Sequence, residues 1–144
     1  MVNEIMTGIT VKLDSIYGDT CRYYGDRDEI QNLDPPCFFV SVLNPAVRLV
    51  HDRRYRADCP FDVAFFPVTH GDNTGLHEIG DTLFQELEYI TLADGIPVRG
   101  TDMSYEIVDG VLHFRVSYNG FYLREAEEAF MEDLEQINSI KTEE

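Results

Sequence analysis

Residues 101–118, TDMSYEIVDGVLHFRVSY, carry the pattern that decides the fold. Asp109-Gly110 is a two-residue hairpin signal, because glycine tolerates the positive φ angle that a tight turn needs. The predicted pairs, from the turn outward, are Val108 with Val111, Ile107 with Leu112, Glu106 with His113, Tyr105 with Phe114, Ser104 with Arg115, Met103 with Val116, Asp102 with Ser117 and Thr101 with Tyr118. One face of this hairpin is apolar and the other polar, so we predict two paired strands packed on one side.

The sequence before this hairpin predicts further strands. Residues 37–43 are rich in Phe and Val and end before Asn44-Pro45, which breaks the strand. From 55 to 65 apolar and polar residues alternate, which is typical of a half-buried strand. Pro60 inside that run predicts an edge strand or a bulge. Residues 47–55 then form either the tip of a long hairpin or a loop.

Three segments have the apolar spacing of amphipathic helices. The first ends at Gly18, the second follows capping residues 72–74, and the third covers about residues 125–140. Their apolar stripes are Ile5, Met6, Ile9, Leu13, Ile16 and Tyr17; Leu76, Ile79, Leu83, Phe84, Leu87 and Ile90; and Ala126, Phe130, Leu134 and Ile137.

The predicted order of elements is α-β-β-β-α-β-β-α. This order favours an α+β fold with two layers, a mainly antiparallel sheet and helices packed on one face. A chain of 144 residues suits one domain with its own core. We therefore predict a single domain over residues 1–144, with an acidic C-terminal helix at about 125–140.

Negative charge dominates the composition. There are 27 acidic and 11 basic residues, giving a net charge of −16. Such a chain is unsuited to nonspecific DNA binding, which requires cations that replace the counterions of DNA. Repulsion of DNA fits either the lining of a channel through which DNA slides or a DNA mimic. A charge that only keeps the protein soluble remains a third interpretation.

Cysteine and histidine positions give weak signals for chemistry. Cys21, Cys37 and Cys59 are widely spaced and predict buried thiols rather than disulfides or a zinc site. His70 lies near His77-Glu78 without an evident third metal ligand. His113 opposite Glu106 reads as an ordinary cross-strand polar pair. With no nucleotide-binding or hydrolase motif in the sequence, we predict a protein without catalytic activity, cofactor or metal.

Basic residues are concentrated in one place. Arg48, Arg53, Arg54 and Arg56 lie within nine positions, whereas residues 125–144 hold eight acids and one base. Complementary patches on opposite sides of a subunit favour closure of a ring, and arginine binds carboxylates bidentately. The arginines are therefore candidates for a subunit or tube contact. A solvated hairpin is an equally open interpretation.

The acids of the predicted C-terminal helix have two interpretations. The simpler one is the solvated face of a helix. The other is the lining of a DNA channel in an assembly, for which the candidates are Glu127, Glu128, Glu132 and Glu135. No stretch is apolar and long enough for a bilayer span, and the start lacks the basic region of a secretory signal. We expect folding in the cytoplasm of the cell that makes the protein.

Several phrases occur in an order that resembles a known family. They are residues 3–9 of the first helix, Pro36-Cys37-Phe38-Phe39-Val40, Leu43-Asn44-Pro45, Arg54-Tyr55-Arg56, Pro60-Phe61-Asp62-Val63, Phe66-Pro67, and residues 109–118. Together they resemble the tail terminators of long-tailed bacteriophages, particularly small proteins from phages and prophages of Gram-positive bacteria.

The resemblance implies a structural virion protein at the tail–head junction. Members form a ring, usually hexameric, that caps the tail tube, ends its polymerisation and joins the tail to the head. The implied partners are other copies of the chain, the tail tube protein and a head-completion or connector protein, while DNA passes through the lumen without specific binding. An acidic DNA-mimic inhibitor is the alternative class. A head-completion protein, a tube protein and a small enzyme remain further possibilities.

Overall fold

The structure, a computed structural model, describes residues 2–25, 30–69 and 73–123. Its helices and strands in these ranges are α1 (Val2–Tyr17), β1 (Arg22–Tyr24), β2 (Cys37–Val42), β3 (Ala46–His51), β4 (Arg54–Asp58), β5 (Pro60–Phe66), α2 (Thr74–Glu86), β6 (Tyr89–Thr91), β7 (Pro97–Val108), β8 (Val111–Tyr118) and β9 (Gly120–Leu123). The predicted α+β class is confirmed. The helix predicted at about 125–140 lies outside the described residues.

The strands form two sheets. The larger has six strands in the order β1-β2-β5-β8-β7-β6, and the smaller has three in the order β3-β4-β9. β1 pairs with β2 in parallel, and the other pairs of the larger sheet are antiparallel. The chain divides into two compact units, one with both helices and the larger sheet, the other with the smaller sheet.

Both helices pack against one face of the six-stranded sheet. Ile5, Ile9 and Leu13 of α1 are buried at helical spacing, as are Leu76 and Leu83 of α2. The sheet side chains of the same core cluster include Phe38, Val40, Phe61, Val63, Phe65, Leu112, Phe114, Val116 and Tyr118. Removal of these apolar surfaces from water is what holds the two layers together.

The end of the second predicted stripe is wrong. α2 ends at Glu86, and Ile90 is a buried residue of strand β6. An apolar residue four positions beyond a helix continues its periodicity by coincidence, which spacing alone does not distinguish. The Asp94-Gly95 turn then joins β6 to β7, with Gly95 at a φ of +86°.

The central hairpin has the predicted turn and the predicted register next to it. Asp109 and Gly110 both have positive φ, +53° and +77°. The pairs from Val108–Val111 to Ser104–Arg115 are confirmed. Alternation of apolar and polar residues therefore specified the register over the half of the hairpin nearest the turn.

The outer half of the hairpin differs from the prediction by a β-bulge. Thr101 pairs with Ser117 rather than Tyr118, and Gly100 takes the position opposite Tyr118. Asp102 absorbs the extra residue at a φ of +54°. The predicted Thr101–Tyr118 and Asp102–Ser117 pairs are wrong because the bulge shifts the register by one residue.

The shift places a glycine where there is no room for a side chain. A Cβ atom on Gly100 would lie 2.6 Å from Val116 Cγ2 and 3.0 Å from the carbonyl oxygen of Leu87. The glycine lets strand β7 approach the chain after α2, where the Gly100 N–H donates to the Glu88 carbonyl at 2.6 Å. The bulge therefore requires glycine at position 100, because it brings this residue into close contact with the neighbouring backbone.

The strand predicted over residues 55–65 is divided at Cys59 into β4 and β5. Pro60 is the first residue of β5, which lies between β2 and β8, so the predicted edge position is wrong. A first position tolerates proline because no ladder N–H is needed there. The Pro60 carbonyl accepts the Leu43 N–H at 2.8 Å. The chain leaves one sheet and enters the other at this point.

Candidate interaction surface

The four clustered arginines lie on one hairpin. Arg48 is on β3, Arg53 is in the turn, and Arg54 and Arg56 are on β4. Asp52 supplies the turn with a positive φ of +55°. Of the two interpretations of residues 47–55, the structure shows the hairpin. We call Ala46–Ala57 the arginine hairpin.

Strand β3 is exposed along its whole length and includes three large apolar side chains. All six of its residues are exposed, and Val47, Leu49 and Val50 are 47%, 56% and 49% exposed. It is an edge strand of the three-stranded sheet. Sequence reasoning missed this feature, because it predicts residues 47–55 only as a hairpin tip or a loop and considers only the arginines of that segment. Clustered apolar exposure of this kind is typical of interaction sites.

The arginine hairpin is positively charged, whereas the rest of the chain is negatively charged. Residues 46–57 contain four arginines and one aspartate and have a net charge of +3. The rest of the chain therefore has a net charge of −19, which gives −16 for the whole chain. Arg48, Arg53 and Arg54 are exposed, and Arg56 is half-buried. The surface is both apolar and cationic, which suits an acidic partner with some apolar area.

A second polar group lies on the face of the six-stranded sheet opposite the helices. His113 is opposite Glu106 in the register, as predicted. Its Nδ1, however, contacts Asp62 Oδ2 of neighbouring strand β5 at 3.1 Å. Arg115 joins the same carboxylate, with Nε 3.5 Å from Oδ1, and also approaches Glu106 at 3.7 Å. Sequence spacing does not show Asp62 because strand β5 is about 50 residues away.

The Asp62 carboxylate is the centre of this polar group. Asp62 is only 13% exposed and holds two neighbouring side chains, which fixes His113 on the sheet surface. A shallow depression of about 280 Å³ beside it is lined by Ser104, Tyr105, Glu106, His113 and Arg115. Glu106 and Arg115 form a cross-strand ion pair and His113 contacts Asp62, an arrangement typical of a packed polar sheet face.

The remaining candidates for chemistry are the cysteines and the histidines outside this polar group. The three cysteines are free thiols, with Cys37 and Cys59 buried, and burial raises the pKa of all three. His77 Nδ1 lies 2.7 Å from the Tyr105 hydroxyl. Within residues 2–25, 30–69 and 73–123, no cluster of three potential ligands could hold a metal. His70 lies outside the described residues.

A family model described as phage tail terminator protein matches residues 4–129. The chain belongs to the phage tail terminator family. This family is structural, so the tail terminator has a role in completing a phage tail.

Two further comparisons complete the picture. No curated protein sequence matches this tail terminator. Among the solved structures that are similar to this chain, one aligns over 85% of this chain and 95% of the other chain, with 17% sequence identity and a TM-score of 0.48. Among the described helices, none is long and apolar enough to cross a membrane.

The structure places only half of the predicted site residues of this tail terminator. It brings the four arginines together on one hairpin. Glu127, Glu128, Glu132 and Glu135 lie outside the described residues, and their position on a lumen stays a prediction.

Proposed function

We propose that this protein forms a ring on the end of the tail tube, stops the tube from growing and presents the surface that the head joins. The observation that carries the proposal is an exposed, apolar and cationic hairpin on an acidic member of a tail-completing family. Such a hairpin is a docking element, and a ring needs each subunit to offer two different surfaces.

The proposed partners follow from this role. They are further copies of the chain, six in the complete ring, together with the tail tube protein and a head-completion or connector protein. Arg48, Arg53, Arg54 and Arg56 lie at a subunit or tube contact. The protein is made in the host cytoplasm and resides in the virion at the tail–head junction.

Passage of DNA accounts for the charge. The duplex must move through the ring without sticking, and a protein of net charge −16 repels phosphate at close range. Glu127, Glu128, Glu132 and Glu135 are proposed to face the lumen. The ring acts by binding and geometry, without a catalytic step.

An early stop codon in the gene tests the proposal. Electron microscopy of the resulting particles is expected to show overlong or ragged tails beside full, detached heads. Supplying the intact protein from a plasmid should restore normal tail length, which controls for effects on neighbouring genes. Infectious particles with tails of normal length would refute the proposal and favour the DNA-mimic class.

A further inference from the structure

The outer edge of strand β3 is exposed and largely apolar. In the described part of the chain its only strand neighbour is β4. Proteins protect such edges with charged side chains, proline or a bulge, because unpaired backbone groups invite another chain. In β3, AVRLVH, Arg48 is such a charged side chain, whereas proline is absent. Its three large apolar residues, Val47, Leu49 and Val50, are each about half exposed.

Charge selects which surface can cover this edge. Two arginine hairpins placed face to face would bring a net +3 against a net +3. One hairpin placed against the rest of another copy brings +3 against a chain portion of −19. Like charges at an interface oppose association, whereas opposite charges steer encounter and fix orientation. A symmetric hairpin-to-hairpin contact is therefore disfavoured.

We propose that the arginine hairpin is one of the two subunit surfaces of the ring, and that it docks on an acidic surface outside the hairpin of a second copy. The apolar edge of β3 supplies the area removed from water, and Arg48, Arg53 and Arg54 supply charge complementarity. This inference rests on the proposed ring and deepens it by assigning a contact that joins different surfaces of two copies. Head-to-tail contacts of that kind close into rings or extend into filaments.

Sedimentation velocity of the purified full chain tests the contact. At about 0.15 M salt the Debye length is ~8 Å, so the repulsion between two chains that each carry −16 is largely screened, while charges in direct contact still attract. We expect association that grows with protein concentration. A chain that stays monomeric throughout the concentration series would overturn the inference.

Three variants separate the causes. The double variant Val47→Thr and Leu49→Thr keeps β propensity but removes exposed apolar area. The double variant Arg53→Glu and Arg54→Glu reverses the charge of the hairpin. Each double variant should raise the dissociation constant of self-association about tenfold or more. Ile96→Thr is the matched control, since Ile96 is 55% exposed but lies outside the hairpin. It should associate like the natural chain. Circular dichroism must show all three folded, and hairpin variants that associate normally would overturn the inference.

A mixing experiment tests the head-to-tail geometry. The charge-reversed variant retains an intact acceptor surface, so it should be monomeric alone yet bind one natural copy and block further growth. Failure to bind natural copies would overturn the head-to-tail assignment. These results are independent of the tail-length assay, because the latter requires no purified protein. If particles made without the protein have normal tails, the proposed function is refuted. If those tails are abnormal but the hairpin variants associate like the natural chain, only this inference is refuted.

Discussion

Replacing Tyr118 with phenylalanine tests how the six-stranded sheet is joined to the chain after α2. The side chain is 1% exposed, and its hydroxyl donates a hydrogen bond of 2.5 Å to the carbonyl oxygen of Leu87. Leu87 is itself buried and closes α2 through its own N–H. Burial raises the pKa of Tyr118 well above its usual range, so the hydroxyl remains a donor throughout the physiological range.

The magnitude follows from what the substitution removes. Phenylalanine retains the ring and its edge contact with Phe61, whose centroid is 6.2 Å away. Only the hydroxyl is lost, which leaves the Leu87 carbonyl buried without this donor. Loss of one partner of a buried hydrogen bond costs about 1–3 kcal/mol in the free energy of unfolding. In a domain of this size, that corresponds to a fall in Tm of roughly 2–12 °C.

Urea denaturation followed by circular dichroism measures the effect. With an m-value of about 2 kcal/mol per molar urea, the midpoint should fall by about 0.5–1.5 M at unchanged slope. Tyr89→Phe is the control, because Tyr89 is 54% exposed and its hydroxyl is not in the core. Equal midpoints for Tyr118→Phe and the natural chain would refute the reasoning that this bond supports the fold.

Two further predictions concern the same core. Gly100→Ala should lower the free energy of unfolding by about 1–3 kcal/mol in the same urea assay, since the added methyl group meets Val116 and the Leu87 carbonyl. In the native protein a thiol reagent should modify Cys21 well before Cys37 and Cys59, because Cys21 is partly exposed whereas both of the latter are 0% exposed.

Each of these predictions has an internal comparison. Gly75→Ala places a methyl group where no atom lies within 4 Å, so this helical position should lose no stability. A loss like that of Gly100→Ala would contradict the packing argument. For the thiols, modification in urea should reach all three cysteines, and equally rapid reaction of all three in the native protein would contradict their burial.

The α+β class, both described helices and the inner half of the central hairpin could be predicted from the sequence. These features depend on local spacing: apolar residues recur with the period of a helix or alternate as in a strand, and Asp109-Gly110 fixes the turn. The clustering of the arginines was also visible, because it is a matter of counting along the chain. The family resemblance rests on the same local phrases.

The sites that depend on distant residues could not be predicted. The bulge at Asp102 shifts the register so that Gly100 lies opposite Tyr118, and the contact of Asp62 with His113 requires β5 to lie beside β8. Pro60 predicted an edge strand or a bulge, and only the neighbours of β5 show that its strand is not at an edge. In each case the deciding contact joins residues well separated along the chain, so local periodicity carries no record of it.

For this tail terminator, the sequence by itself determined the element types, the fold class, the acidic charge and the position of the arginines. Only the tertiary structure decided which apolar residues are buried. Val63 and Val47 both lie on strands, yet Val63 is fully buried while Val47 on the edge strand β3 is half exposed. Periodicity shows which face of a helix or strand is apolar, whereas the packing of distant elements determines whether that face is covered.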